Sequence, residues 1–228
     1  MTRHCVTIAA GLALALAGPA VAAETEADPL GFESALAPPA GHWQQHLAVD
    51  VGLGDEGRGS HLVWRYGLTE GLTLAADIDE VHVAPGAGAH WGFGLQAGLH
   101  REDAWPALAA GVREMAVGKD VELTGYLAWQ RHLGPALLQG DVEVRQTLLG
   151  GGTHLAGHVD AAWLLGASAW LIELESDTGF DTRAPKWRLI PGWRHHLLPS
   201  LQVGVGLPLG LSSTSAPVGV IADMIAGW

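Results

Sequence analysis

The residues able to do chemistry in this 228-residue chain are acids, arginines and histidines within stretches that alternate between apolar and polar or small residues. Ten acids and four bases fall on the polar side of these stretches. The acids are Asp50, Asp77, Asp79, Glu122, Asp141, Glu143, Asp160, Glu173, Glu175 and Asp223, and the bases are Arg65, Arg145, Arg188 and Arg194. Charges gathered in a narrow space with walls of low dielectric constant act strongly on ions. This acidic excess favours cations over anions.

Such charges could serve in either of two ways, and the sequence leaves both open. They could pair with one another and fill the space between the strands, which would give a purely structural or interaction protein. They could instead line a thin polar channel, because the interior of a closed sheet widens as strands are added.

Two histidines suggest a metal site. His154 and His158 share a face with Asp160, and imidazole and carboxylate groups bind Zn, Cu or Ni. Residues i and i+4 on a strand are roughly 13 Å apart. One ion could therefore bind both histidines only with help from neighbouring strands, and ordinary polar histidines are the alternative. We expect no cofactor.

Nucleophilic catalysis is not indicated. Ser212, Ser213 and Ser215 lie together in one connecting segment, but no histidine is placed at that end of a neighbouring strand on the lipid side. The G-x-S-x-G turn that presents a catalytic serine is absent from the sequence. We therefore expect no enzymatic activity.

The amino terminus predicts export. Residues 1–23 combine a short basic start, an apolar run and the small residues Ala20, Ala22 and Ala23, which together are typical of a cleaved signal peptide. Cleavage would remove the single cysteine, Cys5, and one charge, Arg3. The mature chain then carries 11 basic and 24 acidic side chains, a net charge of −13. Nucleic-acid binding uses clustered Lys and Arg, so this charge argues against it.

The rest of the chain predicts strands. Residues 24–41 are acidic, contain proline and show no period, so we expect a flexible periplasmic lead-in. From residue 42 an alternation with a period of two predicts twelve strands. They are 42–53, 60–68, 72–83, 89–100, 105–117, 120–132, 136–147, 153–165, 168–177, 186–196, 200–211 and 217–228. The third shows a slip near Asp79 and Glu80 that suggests a bulge, and the faces of the fifth cannot be assigned.

Tryptophan positions separate a membrane barrel from a soluble sandwich, which also alternates. If the strands run alternately outward and inward from a periplasmic amino terminus, every tryptophan falls near a strand end. Trp43, Trp64, Trp105, Trp129, Trp163, Trp170, Trp193 and Trp228 fall at the periplasmic end, and Trp91 and Trp187 at the outer end. Indole is apolar with one N–H that seeks water, so these residues predict the two aromatic girdles of a membrane barrel.

Connections and the last residue support this orientation. The links expected on the periplasmic side, such as 69–71 and 133–135, are short, whereas those expected outside, such as 54–59 and 178–185, are longer. The final alternating strand ends on Trp228, which resembles the signal that directs barrels to the assembly machinery of the outer membrane.

Two stretches resemble a family of outer-membrane transporters named for the MetA pathway of phenol degradation. They are WRYGLTEGLTLAADID, residues 64–79, and the hairpin from Arg188 to Gly210 with its Leu-Pro-Ser-Leu-Gln turn. The resemblance implies a transport role with hydrophobic or aromatic compounds among the candidate solutes, and it brings no catalytic residues. The chain departs from the family in its richness in histidine.

Together these observations predict an all-β protein: a transmembrane, up-and-down antiparallel β-barrel of about 12 strands. Residues 42–228 would form the barrel in the bacterial outer membrane, as a monomer surrounded by lipid. The expected function is the passage or binding of a small solute. A filled structural barrel and a histidine–carboxylate metal-handling barrel are the alternatives.

Overall fold

The residues that the computed structural model describes are 38–52, 58–82, 89–117, 120–149, 152–179, 185–213, 215 and 217–228. They form one antiparallel sheet. Its strands are β1 (Trp43–Gly52), β2 (Arg58–Thr69), β3 (Leu72–His82), β4 (Ala89–His100), β5 (Ala107–Val117), β6 (Asp120–Leu133), β7 (Ala136–Thr147), β8 (Thr153–Leu165), β9 (Ser168–Gly179), β10 (Lys186–Leu198), β11 (Leu201–Gly206), β12 (Leu209–Gly210) and β13 (Gly219–Gly227). The predicted signal peptide and most of the lead-in lie outside the described residues.

The sheet closes on itself. From β1 to β10 each strand pairs with the next, and β11 pairs with both β10 and β13. Strand β13 pairs with β1, where the N–H of Trp43 donates to the Trp228 carbonyl at 2.7 Å. Strands β11 and β12 act as one wall element because both pair with β10, and Pro208 between them has no N–H for the ladder. The result is the predicted closed antiparallel barrel with twelve wall elements. Apart from the break at Pro208, each strand end lies within two residues of its predicted position.

The two faces of the wall have opposite chemistry. Phe93 and Val112 are 65% and 61% exposed on the outer face, whereas Asp77 and Arg194 are each 2% exposed on the inner one. A soluble sandwich buries its apolar face and solvates its polar face, and this barrel does the reverse. An apolar exterior around a fully paired backbone is the arrangement that lipid requires.

Two strands clarify what the sequence left uncertain. In β5 the side chains of Ala107 and Ala109 are fully buried inside, so Arg113 faces inward and Glu114 faces outward. In β3 the predicted bulge at residues 79–80 is wrong, because the register with both neighbours is continuous there. The irregularity in the β2–β3 pairing lies between Gly67 and Thr69, next to the turn.

The tryptophans group largely as predicted. Trp163, Trp170 and Trp193 form a direct cross-strand row on the outer face near the end that carries the short turns. Trp91 and Trp187 lie near the opposite end. Trp64 and Trp193 lie nearer the middle of their own strands than the sequence suggested. Among the described residues, no helix is long and apolar enough to cross a membrane.

The β4–β5 connection is tied to β6 at the end with the short turns. Glu102 accepts hydrogen bonds from the backbone N–H and the Nδ1 of His132, both at 2.7 Å, and the carbonyl of Asp103 accepts one from Arg131 at 2.7 Å. Burial raises the pKa of Glu102, but the hydrogen bonds from His132 outweigh it, so that the net pKa is lowered. These contacts hold Trp105 at this end of the barrel.

The end of the predicted lead-in packs inside the barrel rather than standing apart from it. The N–H of Gly41 donates to the Gly67 carbonyl at 2.7 Å, Ala40 bridges to Gly67, and Pro38 is buried. Gly67 lies on the inner face of β2, and a Cβ at this position would overlap the carbonyl oxygens of Pro38 and Pro39. The absence of a side chain at Gly67 therefore allows residues 38–41 to enter the barrel at the end with the short turns.

Replacing Gly67 with Val is expected to displace this segment, because the added side chain would occupy its place. Cleavage of the refolded barrel by proteinase K, followed by mass analysis of the new amino terminus, should be severalfold faster near residues 38–42 than in the wild type. Gly125→Val is the control, since a Cβ at Gly125 meets nothing within 4 Å. Equal cleavage rates for Gly67→Val and Gly125→Val would show that the packing against Gly67 does not hold the segment.

Candidate functional site

Ion pairs cross the inner wall where a glycine leaves room for them. Arg194 on β10 and Asp223 on β13 are separated by β11, yet Arg194 donates to Asp223 over Gly204, with which both residues pair. A Cβ at Gly204 would overlap the Asp223 carboxylate and lie 3.3 Å from the Arg194 Nε. His46 Nε2 approaches the same carboxylate at 3.3 Å. This buried cluster thus links β10, β13 and β1 across their hydrogen-bonded ladder.

A second ion pair follows the same rule on the far side of the barrel. Asp77 on β3 and Arg113 on β5 are 3.6 Å apart across β4, where Gly92 pairs with Asp77 and Gly94 with Arg113. Arg113 also approaches Glu143 on β7, at 4.0 Å. One guanidinium therefore connects β3 and β7.

The end of the barrel opposite the short turns, which we call the outer mouth, carries a third crossing. Arg188 on β10 donates to Glu175 at 2.7 Å and to Asp50 on β1 at 3.4 Å. The path to Asp50 passes Gly210 and Gly219, so glycines again lie beneath the bridging side chains. Glycine on the inner face leaves width, but charged side chains occupy much of that width.

A histidine lies between two acids on β7 and β8. His158 Nδ1 is 2.8 Å from Asp141, and its Nε2 is 3.4 Å from Asp160. Asp160 pairs directly with Glu173 on β9, and both carboxylates are buried. The side-chain amide of Gln139 donates to Asp160 at 3.3 Å. This is the most acidic part of the described interior wall.

The predicted metal site gains no support from these contacts. His154 lies near the outer mouth, 3.6 Å from Asp177, while His158 lies deeper between its own two acids. Among the residues with described positions, no group of three or more His, Cys, Asp or Glu side chains is arranged to hold a metal ion. His154 and His158 instead each have a separate carboxylate partner.

Exposure divides the interior into an open mouth and a closed belt. At the outer mouth the side chains of Asp50 and Asp177 are 38% and 44% exposed. Below them lies a belt of buried polar side chains that water scarcely reaches in the described structure. The belt contains His46, Arg65, Asp77, Gln96, Gln130, Gln139, Asp141, Glu143, Asp160, Glu173, Arg194, Gln202 and Asp223.

Part of the interior is apolar, which the sequence analysis did not predict. Leu137, Leu171, Ile190 and Ile221 point inward from four different strands and pack with inward alanines into one buried cluster. On β5 and β6 a smaller cluster of alanines packs with Tyr126, whose ring lies over Gly111. Apolar packing and ionic pairs therefore together narrow the interior.

The remaining predicted lining residues can now be placed. Arg145 donates to Glu143 at 2.6 Å, Glu122 faces inward near the outer end of β6, and Arg65 is buried on β2. The side chain of Asp79 lies outside the described residues. Arg113 and His61 are inward residues that the prediction missed, and the alternation of buried Val63 and Arg65 in β2 would have placed His61 on their face.

Solved structures share this architecture. The chain matches the structure described as the COG4313 outer membrane channel from Pseudomonas putida F1, with a TM-score of 0.66, 13% identity and coverage of 89% of this chain and 100% of that one. The fold is that of a bacterial outer-membrane β-barrel. The KdgM porin matches with a TM-score of 0.58, 12% identity and coverage of 80% and 98%. The NanC porin matches with a TM-score of 0.60, 9% identity and coverage of 80% and 98%.

These likenesses show the fold alone, because all three sequence identities are too low for a shared function to be inferred from them. No protein-family model matches the chain, and no curated protein matches its sequence. The membrane placement inferred from the apolar outer face thus agrees with the fold. The comparisons do not identify a solute, which has to be inferred from the residues of the barrel interior.

Proposed function

We propose that this protein is a channel of the outer membrane that passes a small solute through the barrel interior. The observation that carries the proposal is the ionic inner wall, which runs from the open outer mouth at Asp50 and Arg188 to the buried pair Arg194–Asp223. A barrel held together only by packing would have little use for so many buried charges, because each costs desolvation energy. Charged side chains, by contrast, can interact favourably with a hydrated solute that passes them.

Passage through this interior requires side chains to move. The belt around Asp77, Arg113 and Glu143 is buried, so a solute would have to separate ion pairs or slide past them. The glycines beneath the pairs provide room for such a shift without a change in the backbone. The channel we propose is therefore closed at rest and of low conductance.

Acidity sets the expected preference among solutes. Inward carboxylates outnumber inward guanidinium groups where their side chains are described. The carboxylates are Asp50, Asp77, Glu122, Asp141, Glu143, Asp160, Glu173, Glu175, Asp177 and Asp223, against Arg65, Arg113, Arg145, Arg188 and Arg194. A field of this sign lowers the barrier for cations. The resemblance to the phenol-degradation family adds aromatic solutes, and the inward Leu and Ile side chains offer them an apolar surface.

Conductance of the refolded barrel in planar lipid bilayers tests the proposal. We expect small single-channel steps and, in a salt gradient, a reversal potential that indicates cations are preferred over anions. The heat-dependent shift in gel migration that folded barrels show serves as the check on folding. A folded barrel without conductance, and without solute entry in a liposome swelling assay, would contradict the channel.

A filled barrel with a structural or interaction role is the second candidate. The buried belt favours it, because inward side chains such as Gln130, Gln139 and Gln202 are almost inaccessible. The absence of conductance and of swelling in the folded protein is the result that this candidate predicts.

The surroundings of the protein follow from the same architecture. We propose a monomer in contact with lipid through its apolar face, with the tryptophans at the two membrane interfaces. Trp228, which closes the barrel against Trp43, is proposed to present the last strand to the assembly machinery.

A further inference from the structure

A small pocket opens on the inner wall between two arginines. Arg65, Ala75, Gly94 and Arg113 form one directly paired row across β2, β3, β4 and β5. The two middle residues carry no more than a methyl group, so the guanidinium groups stand at the ends of a gap. The cavity there has a volume of about 10 Å³, which is close to the space that one water molecule needs.

The pocket is positive within an acidic interior. Its polar lining comes from Arg65, Thr73, Asp77, Gln96, Arg113 and Tyr126. Two guanidinium groups and one carboxylate belong to the lining, which therefore carries a formal charge of +1, while Glu143 lies outside the lining at 4.0 Å from Arg113. This charge is opposite in sign to that of the acids around His158, so the pocket suits a different group of a solute.

A buried hydroxyl group also points to a missing ligand. Thr73 is 1% exposed, and its Oγ1 makes no hydrogen bond with any residue that the structure describes. The neighbouring Gln96 accepts a hydrogen bond from the Tyr126 hydroxyl at 3.1 Å. Burying a hydroxyl group without a partner is costly, and an acceptor atom inside the pocket would remove that cost.

We propose that Arg65, Arg113 and Thr73 form a subsite that binds the carboxylate group of a small organic acid. Guanidinium groups match a carboxylate in charge and in planar geometry, and the Thr73 hydroxyl supplies a further donor. The pocket accommodates one carboxylate oxygen while the remainder of the solute stays in the barrel interior. The inference rests on the proposed path through that interior, and free chloride is the other source of negative charge that could fill the pocket.

Calorimetric titration of the refolded barrel in a zwitterionic detergent tests the subsite, with benzoate as the probe and benzamide as its uncharged counterpart. We expect benzoate to bind and benzamide not to bind. Thr73→Val should weaken benzoate about tenfold, since it removes one hydrogen bond to a charged group. Thr124→Val is the matched control, because Thr124 is also inward and buried but does not line the pocket, and its affinity should equal that of the wild type.

A second variant tests the pocket by filling it rather than by removing a hydrogen-bond donor. Ala75→Val fills the floor of the pocket without removing an ion, and it too should lose benzoate. Equal binding of benzoate and benzamide, or equal affinities of Thr73→Val and Thr124→Val, would overturn the subsite. Complete displacement of benzoate by an equal concentration of chloride would overturn the assignment to a carboxylate.

Binding and conductance separate this inference from the proposed function. A barrel that conducts but ignores benzoate contradicts the subsite alone. A barrel that binds benzoate without conducting or swelling contradicts the channel alone.

Discussion

Replacing Asp223 with Ala is expected to lower the free energy of unfolding by about 3–5 kcal/mol, because it leaves a buried guanidinium without its carboxylate. Arg194 and Asp223 are 2% and 6% exposed, and their bond ties β10 to β13 across β11. The substitution also removes the carboxylate that lies 3.3 Å from His46. The break would occur beside β13, the strand that closes the barrel against β1.

Denaturant titration of the refolded barrel in lipid vesicles, followed by tryptophan fluorescence and gel migration, measures this loss. Asp177→Ala is the control, because that side chain is 44% exposed and lies 3.6 Å from His154. Exposed pairs contribute only about 0–1 kcal/mol. The double change Arg194→Met with Asp223→Leu removes both charges and should recover most of the stability. Equal midpoints for Asp223→Ala and Asp177→Ala would show that the pair does not stabilise the closure.

Gly204→Ala provides an independent check, because it alters no charge. The added methyl group would overlap the Asp223 carboxylate, so the pair would have to separate or β11 to shift. We expect a loss of stability similar to that of Asp223→Ala. Similar losses for the two variants would mean that the Arg194–Asp223 pair can form across β11 only when residue 204 has no side chain.

Period-two alternation predicted the strands because lipid and a polar interior impose opposite demands on successive residues. In β4 the apolar residues Trp91, Phe93 and Leu95 alternate with glycines, so that only one assignment of residues to the two faces is possible. Strand β5 lacks this contrast. Alanines stand on both of its faces and Arg113 and Glu114 are adjacent, so one charge must face lipid whichever face is chosen. The sequence therefore could not reveal Arg113, which the structure places at the centre of the ionic belt.

The partners of the inward charges depend on how the strands are staggered around the barrel. Asp77 and Arg113 are on strands that do not touch in the sheet, and their contact exists because two glycines lie between them. Asp50 and Arg188 are even further apart in the chain. Alternation identifies which side chains enter the interior, but it does not say which will meet. The narrowing of the interior thus appeared only with the structure.

Replacing Arg113 with Ser is expected to raise single-channel conductance severalfold and to strengthen the preference for cations. The guanidinium lies between Asp77 and Glu143, which belong to strands on either side of β5. Its removal opens the space that it occupied and leaves two carboxylates facing each other. Glu143 keeps its bond to Arg145, but Asp77 loses its contact with Arg113, and the added net negative charge would draw water and cations into the belt.

Planar bilayer recordings of the wild type and the variant, in the same salt gradient, measure both effects. Arg131→Ser is the matched control, because Arg131 lies on the outer face near the short turns and donates to the Asp103 carbonyl. Its conductance should equal that of the wild type. Gel migration must show that each protein is folded before its recordings are compared.

The repulsion between Asp77 and Glu143 could itself unfold the variant, and a second substitution guards against this. Arg113→Ser combined with Asp77→Asn removes one charge of each sign, so the width increases without two facing carboxylates. This protein should conduct more than the wild type but discriminate less between cations and anions than Arg113→Ser alone. If both variants fold and conduct like the wild type, the solute does not pass Arg113. The role of the ionic belt would then be structural, since it would hold opposite walls of a filled barrel together.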